Sequence, residues 1–314
     1  MNKLDLLSVG SWTIFDYILR SKNYPKEGET ITLEMPHKLL QKKYYGDCSA
    51  NVAAAASSSG AKTGLGMIVG EDFDTYGYRE HMVKLGVDLN GVEVRLGKKS
   101  GYSYNIANKK GRGICLSHLG IAKNQSDWKP PYNEIKKSRA VVISEKFSSY
   151  TLKTIVNAKS LGKITAINGM VKTANKKLID FLKATDYLFI NQKEFEAVLA
   201  ALNLNDAKDI FSIGPSMIVV TEGSKGSHWF LKNKKFTCDA VSTSCAKDTT
   251  GAGDAFTGAS IAKLLQGYSP EEAAKYASTV SSFVVEKWGC QTNLVNSKYI
   301  KKRMNSFFKK KQLR

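Results

Sequence analysis

The run Asp248-Thr249-Thr250-Gly251-Ala252-Gly253-Asp254-Ala255-Phe256 holds the residue types best suited to chemistry in this 314-residue chain. Two glycines around an alanine let successive backbone N–H groups converge with no side chain in the way. The pattern that follows predicts a helix over 252–265. The turn therefore opens a helix, whose partial positive charge suits a phosphate. Asp254 falls in the first helical turn, beside that anion hole. A carboxylate there can take a proton from a hydroxyl attacking the phosphate. The same residues also make an ordinary helix cap with a glycine turn, and their chemistry alone leaves both readings open.

Strand-like apolar runs at 4–10, 64–70, 140–144, 164–168, 187–191 and 217–221 alternate with helical patterns at 49–59, 76–85, 151–160, 174–182 and 194–202. Such alternation implies βαβ units and a mostly parallel sheet. Residues 13–33 and 92–119 break the pattern with period-2 segments such as Thr30-Ile31-Thr32-Leu33 and Gly101-Tyr102-Ser103-Tyr104-Asn105-Ile106. These read as hairpins that leave the main sheet and form a small β lid over its strand ends, where ligands of open α/β sheets bind.

Composition narrows the classes further. At 42% hydrophobic and 24% charged residues the chain is globular, and no run approaches the ~20 apolar residues of a membrane span. The start, Met1-Asn2-Lys3-Leu4-Asp5-Leu6-Leu7, has an aspartate where a signal peptide needs an unbroken apolar stretch, so a cytoplasmic protein is expected. Cysteines 48, 115, 238, 245 and 290 contain no C-x-x-C pair and read as free thiols. Histidines 37, 81, 118 and 228 have no metal-site spacing. There is no Walker A loop, and only Gly10 stands where a dinucleotide fingerprint would begin. The net charge is +19; seven Lys and Arg between 301 and 314 form a basic tail, and +12 is left without them. That balance favours anionic partners such as nucleotides, phosphorylated sugars or nucleic acid, or it is a solvated surface.

The run 248–256 resembles the signature of the ribokinase or PfkB family of carbohydrate and nucleoside kinases. Other pieces fall in the family's order. They are Val9-Gly10 followed by Asp16, Gly46-Asp47-Cys48-Ser49-Ala50-Asn51-Val52-Ala53, Gly60-Ala61, Val69-Gly70-Glu71-Asp72, Asn191-Gln192-Lys193-Glu194, and Thr221-Glu222-Gly223-Ser224-Lys225-Gly226. The likeness runs from residue 4 to about 290. Two departures stand out. Asp47 replaces the second glycine of the first motif, where it can cap the following helix or bind substrate hydroxyls. Ala166-Ile167-Asn168 lacks the acidic residue of many sugar kinases.

The resemblance implies a single ribokinase-like domain over 1–314. It would be a three-layer α/β/α sandwich with a β lid built from about 11–45 and 92–120. It implies ATP-dependent phosphorylation of a primary hydroxyl of a sugar, with Asp254 as general base and Gly251, Ala252 and Gly253 as the anion hole. Asp16, Gly46, Asp47, Asn51 and Asn168 would meet the substrate. Asn191, Thr221, Gly223 and Gly226 would meet ATP, beside a small-residue helix over 272–286. Glu194 would hold Mg2+ through water. Asp248 and Thr250 would hold K+ where a monovalent cation activates. The substrate is a sugar, or a nucleoside in the alternative reading. Trp12, Phe15, Tyr102 and Tyr104 would then stack on a base, or else pack the lid. No membrane partner is expected, and a homodimer through the lid is allowed. The third reading, a basic nucleic-acid-binding protein with an idle kinase pocket, leaves the intact 251–254 turn without a purpose.

Overall fold

In the computed structural model, which describes residues 4–108, 113–144, 146–169, 171–243 and 245–312, the apolar runs become strands. In chain order these are β1 (Leu4–Val9), β2 (Phe15–Ser21), β3 (Lys43–Tyr45), β4 (Thr63–Gly70), β5 (Val87–Arg95), β6 (Tyr102–Asn108), β7 (Gly113–His118), β8 (Ser138–Ser144), β9 (Ile164–Asn168), β10 (Tyr187–Asn191), β11 (Met217–Thr221), β12 (Ser227–Leu231) and β13 (Lys234–Cys238). One sheet has the order β13-β12-β11-β10-β9-β8-β1-β4-β5, and β2, β3, β6 and β7 form a second in the order β3-β2-β6-β7. The large sheet is parallel from β5 to β11 and ends in the antiparallel β12 and β13.

Side chains alternate across a strand, and here that alternation builds two cores. Val141, Ile143, Ile167, Leu188 and Ile190 face one way, with Ile135, Tyr150, Ile155, Phe181 and Val198 from the helices on that side. Ala140, Val142, Ala166 and Phe189 face the other way, with Val52, Ala55, Ala259, Ala273 and Ile300. The result is a three-layer α/β/α sandwich. No helix among the described residues is long and apolar enough to cross a membrane.

The second of these cores contains a close helix contact near the strand ends. Helix Cys48–Ser58 is alanine-rich, and Ala53, Ala54, Ala55 and Ala56 are fully buried. It lies against helix Ala252–Leu265, where a Cβ on Gly258 would stand 2.3 Å from the Val52 carbonyl oxygen. Small residues on both sides therefore bring the two backbones together, and with them the N-terminal turns that carry Asn51 and Asp254.

The fold departs from the sequence expectations in identifiable places. Thr30 to Leu33 form no strand and contribute one bridge, Ser21 to Leu33. These residues are mostly exposed, so their alternating pattern has no face to bury. The 92–119 stretch divides. Val92 to Arg95 complete β5 at the edge of the large sheet, and only β6 and β7 form the hairpin of the small one. The lid segment as read also included 109–112, which lie outside the described residues. The helix read at 76–85 runs over Tyr78–Lys84, starting after the left-handed Gly77, and a separate short helix, Asp72–Thr75, precedes it. At 174–182 a 3-10 segment, Val171–Lys177, precedes helix Leu178–Lys183. The basic tail is helix Ser297–Gln312 as far as it is described. Ile300, Met304 and Phe308 pack on the second core, and Arg303 pairs with Glu286 at 2.9 Å.

Gly258→Ala places a methyl group against a backbone oxygen that cannot swing away. Overpacking of this kind costs about 1–3 kcal/mol. A denaturant titration should show that loss, and kcat should fall with it because the two N-terminal turns are forced apart.

Candidate active site

The turn that opens helix Ala252–Leu265 is built by its neighbours. Gly251 is left-handed (φ 76°), and a Cβ there would lie 2.5 Å from that of Cys290. Asp248 accepts hydrogen bonds from Thr250 N (3.0 Å), Thr250 Oγ1 (2.7 Å) and Gly289 N (2.9 Å), which ties the turn to the loop following helix Pro270–Val284. Among the described residues, the N–H groups of Gly251 and Gly253 have no acceptor, while Ala252 N donates to Thr249 O at 3.3 Å. Open donors at a helix N-terminus form an anion-binding concavity.

Asp254 stands beside them, half-buried. Asn51 Nδ2 donates to its Oδ2 at 2.9 Å, and Asn168 Nδ2 donates to its Oδ1 at 2.8 Å. Burial outweighs these bonds and lifts the carboxyl to about 6, so it is ionised at neutral pH yet basic enough to accept a proton.

Asp16 on β2 is buried, and Ser103 on β6 donates to it at 2.5 Å. Burial and the nearby Asp248 charge raise it to about 7. A Cβ on Gly46 would stand 2.2 Å from Asp16 Oδ2, so a side chain there would displace the Asp16 carboxylate. Asp47, the departure from the family pattern, is an N-cap. Its carboxylate accepts from Ser49 N (2.9 Å), Ala50 N (3.2 Å), Trp12 N (2.9 Å) and the Ser49 hydroxyl. The backbone is at φ 80°, ψ 123°. Such a conformation in a non-glycine residue costs ~1–3 kcal/mol, which these bonds offset.

The other strand ends lie in register. Phe189 of β10 is opposite Asn168 of β9, and Asn191 is opposite Thr221 of β11. Asn191 and Glu194 make a reciprocal capping box at 3.0 Å in each direction. The Glu194 carboxylate also lies beside Gly169, the residue after Asn168. Gly223 and Gly226 shape the turn after β11, with Glu222 N donating to Gly226 O at 2.8 Å.

A family model for pfkB family carbohydrate kinases matches residues 4–297. The chain belongs to the pfkB family. It is therefore a kinase, a phosphotransferase with a hydroxyl group as acceptor. It is 28% identical to a nucleoside kinase of Methanothermobacter thermautotrophicus over 96% of each chain. It is 26% identical to a deoxyribokinase of Salmonella typhimurium over 92% of this chain and 95% of the other. The crystal structure of Methanocaldococcus jannaschii nucleoside kinase superposes with a TM-score of 0.85 at 25% identity, over 97% of this chain and 99% of that one.

Within this pfkB fold the surroundings of two groups of residues singled out in the sequence are as follows. Asn51 and Asn168, expected on the substrate, each have a protein partner at both ends of the amide. Asn51 Oδ1 accepts from Gln291 (2.8 Å), and Asn168 Oδ1 accepts from Thr257 (2.7 Å). Their remaining N–H groups hold Asp254. Tyr102 and Tyr104 project from the face of the small sheet opposite Asp16, because they alternate with Ser103, and both are exposed. Phe15 is buried against Tyr45, Tyr76 and Tyr78. Of the four aromatics, Trp12 alone reaches the Asp16 face, through a 3.3 Å bond to Ser117. In helix Pro270–Val284, Ala273, Ala274 and Ala277 pack in the core and Ser281 donates to Ala252 O at 2.9 Å, anchoring the turn. Sequence reasoning missed Ser103, Thr257, Cys290 and Gln291. Cys290 reads from the sequence only as a free thiol.

Asp47→Ala should lower unfolding free energy by about 0.5–2 kcal/mol, the loss of an N-cap. A raised acceptor KM at unchanged stability would instead return Asp47 to the substrate.

Proposed function

We propose that the protein transfers the γ-phosphate of ATP to a primary hydroxyl of a sugar. The observation that carries this reading is the setting of Asp254. It is a carboxylate lifted to about 6, fixed by two amides and placed beside the open N–H groups of Gly251 and Gly253. Asp254 removes the proton from the acceptor hydroxyl as that oxygen approaches the phosphorus in line. The N–H groups of Gly251, Ala252 and Gly253 stabilise charge on the transferring group, with Ala252 released from its long bond to Thr249. Asp16, supported by Ser103 and Asn105, accepts bonds from acceptor hydroxyls. The small sheet serves as the lid that carries these groups.

Asn191, Thr221, Gly223 and Gly226 would hold the nucleotide at the adjoining strand ends. A half-exposed Glu194 beside Gly169 fits a hydrated magnesium ion bound mostly by phosphates, which would neutralise phosphate charge. Asp16 and Asp248 are buried carboxylates without an ion pair among the described residues, a setting that fits a monovalent cation held by Asp248 and Thr250. A cytoplasmic location belongs to the same proposal. So does a homodimer through the lid, supported by the exposed outer-face cluster of Tyr102, Tyr104 and Leu116.

The polar inner face of Asp16, Ser103, Asn105 and Ser117 favours a free sugar, since Tyr102 and Tyr104 point away. The second reading is a nucleoside, favoured by the names of the two archaeal relatives. A panel of pentoses, hexoses and nucleosides with ATP and magnesium, followed by ADP release, separates them.

With the acceptor found, Asp254→Asn should lower kcat at least ~10²-fold with little change in KM for ATP. The wild-type kcat/KM should fall as pH drops through about 7 and then about 6, where Asp16 and Asp254 in turn take up their protons, and level off above that range. A kcat within about threefold of the parent would remove Asp254 from the base role.

Asp16→Ala should raise the acceptor KM about 10- to 150-fold, the worth of a charged hydrogen-bond partner, and leave the ATP KM unchanged. Equal rises in both constants would mean lid misfolding and would sink the assigned role.

A further inference from the structure

Asp254 is held by amides, and an amide has two ends of opposite character. Its orientation must therefore be set by something else. For Asn51 that setting comes from a chain of donors. Gln291 is buried, and its Nε2 lies 2.8 Å from Asn51 Oδ1, 2.8 Å from the Tyr78 hydroxyl and 3.4 Å from the Gly46 carbonyl oxygen. A carbonyl oxygen only accepts, so the Gln291 nitrogen must face it, and Gln291 Oε1 must face the other way. There it meets His81 Nε2 at 2.9 Å. His81 Nε2 is then the donor. Burial lowers the imidazole pKa, which keeps the ring neutral with its single N–H on that nitrogen. Tyr45 stacks on the ring with centroids 4.4 Å apart, and it also stacks on Tyr78 at 4.6 Å.

We propose that Gln291 and His81 are positioning residues for the base. His81 orients Gln291, Gln291 orients Asn51, and Asn51 thereby presents N–H rather than C=O to Asp254. The inference rests on the phosphoryl-transfer reading of Asp254. The far end of the chain agrees with the near end: an ionised Asp254 only accepts, so Asn51 Nδ2 must face it, and Asn51 Oδ1 is left for Gln291. On the other carboxylate oxygen Asn168 Nδ2 donates in the same way, while Thr257 Oγ1 donates to Asn168 Oδ1. The remaining titratable groups that influence Asp254 are Asp47 and Cys48 at the start of helix Cys48–Ser58 and Cys290 in the loop beside Gly251. The substitutions below leave all three in place.

The test uses the full chain with the acceptor from the panel. Gln291→Glu keeps the shape but has no N–H for Asn51. The Asn51 amide then turns its oxygen toward Asp254, which disfavours the ionised base. At pH 7 kcat should fall about 10- to 150-fold, the acidic limb of kcat/KM should move to higher pH, and the ATP KM should not change. His81→Leu should act in the same direction by about 2- to 12-fold, and His81→Gln, whose amide nitrogen can occupy the place of Nε2, should restore the parent values. The His81 pair decides the matter alone if Gln291→Glu does not fold. The proposal is overturned if folded Gln291→Glu and His81→Leu keep the parental kcat and acidic limb while Asp254→Asn is inactive. It is equally overturned if His81→Leu raises both KM values without moving the limb, which would be a packing effect. An active Asp254→Asn would bring down the base assignment itself, and the positioning roles with it.

Discussion

The close approach of helices Cys48–Ser58 and Ala252–Leu265 is the constraint on which the site depends. A bulkier interface would separate the backbones by a side-chain layer, and Asn51 could not reach Asp254. Gly258 against the Val52 carbonyl, with buried alanines on the facing helix, removes that layer. Two helix N-termini then open toward the same end of the sheet. The carboxylate between them is partly cut off from water, which is why its pKa rises although two amides donate to it. The chemistry follows from a packing decision made one turn deeper in the helix.

The loop around Gly289 supplies the second half of the support. Gly289 N ties Asp248, Cys290 packs on Gly251, and Gln291 reaches Asn51. One short loop thus contacts the 248–251 turn and the amide that donates to Asp254. It also approaches the small sheet, since Cys290 Sγ lies 3.7 Å from Asp16. Burial pushes the Cys290 thiol well up, so it is a packing group here rather than a nucleophile. Asp16, Gly46 and Ser103 show the same economy at the base of the small sheet, where a missing side chain makes room for a charged one.

Much of the fold was legible because burial leaves a period in the sequence. The strands at 164–168, 187–191 and 217–221 and the helix at 252–265 have the ends that the apolar runs indicated. The segment Thr30 to Leu33 misled because alternation implies a strand only where one face is covered, and here neither is. Val92 to Arg95 misled for the converse reason: an edge strand of the large sheet is only half covered and resembles a hairpin strand.

By itself the sequence determined the glycine turn that opens a helix, the carboxylate within it, the order of the strand-end motifs and the family they resemble, because these are local patterns of residue type and spacing. It could not determine which end of an amide faces which neighbour. The partners of the Asn51 and Asn168 amide oxygens, Gln291 and Thr257, lie 240 and 89 residues away in the chain. Nor could it tell which face of β6 carries Tyr102 and Tyr104, because alternation defines two faces without saying which one looks inward. Only the pairing of β6 with β2, which sets Ser103 against Asp16, decided that. Hydrogen-bond direction and sheet facing are properties of contacts between distant segments, so only the tertiary structure could set them.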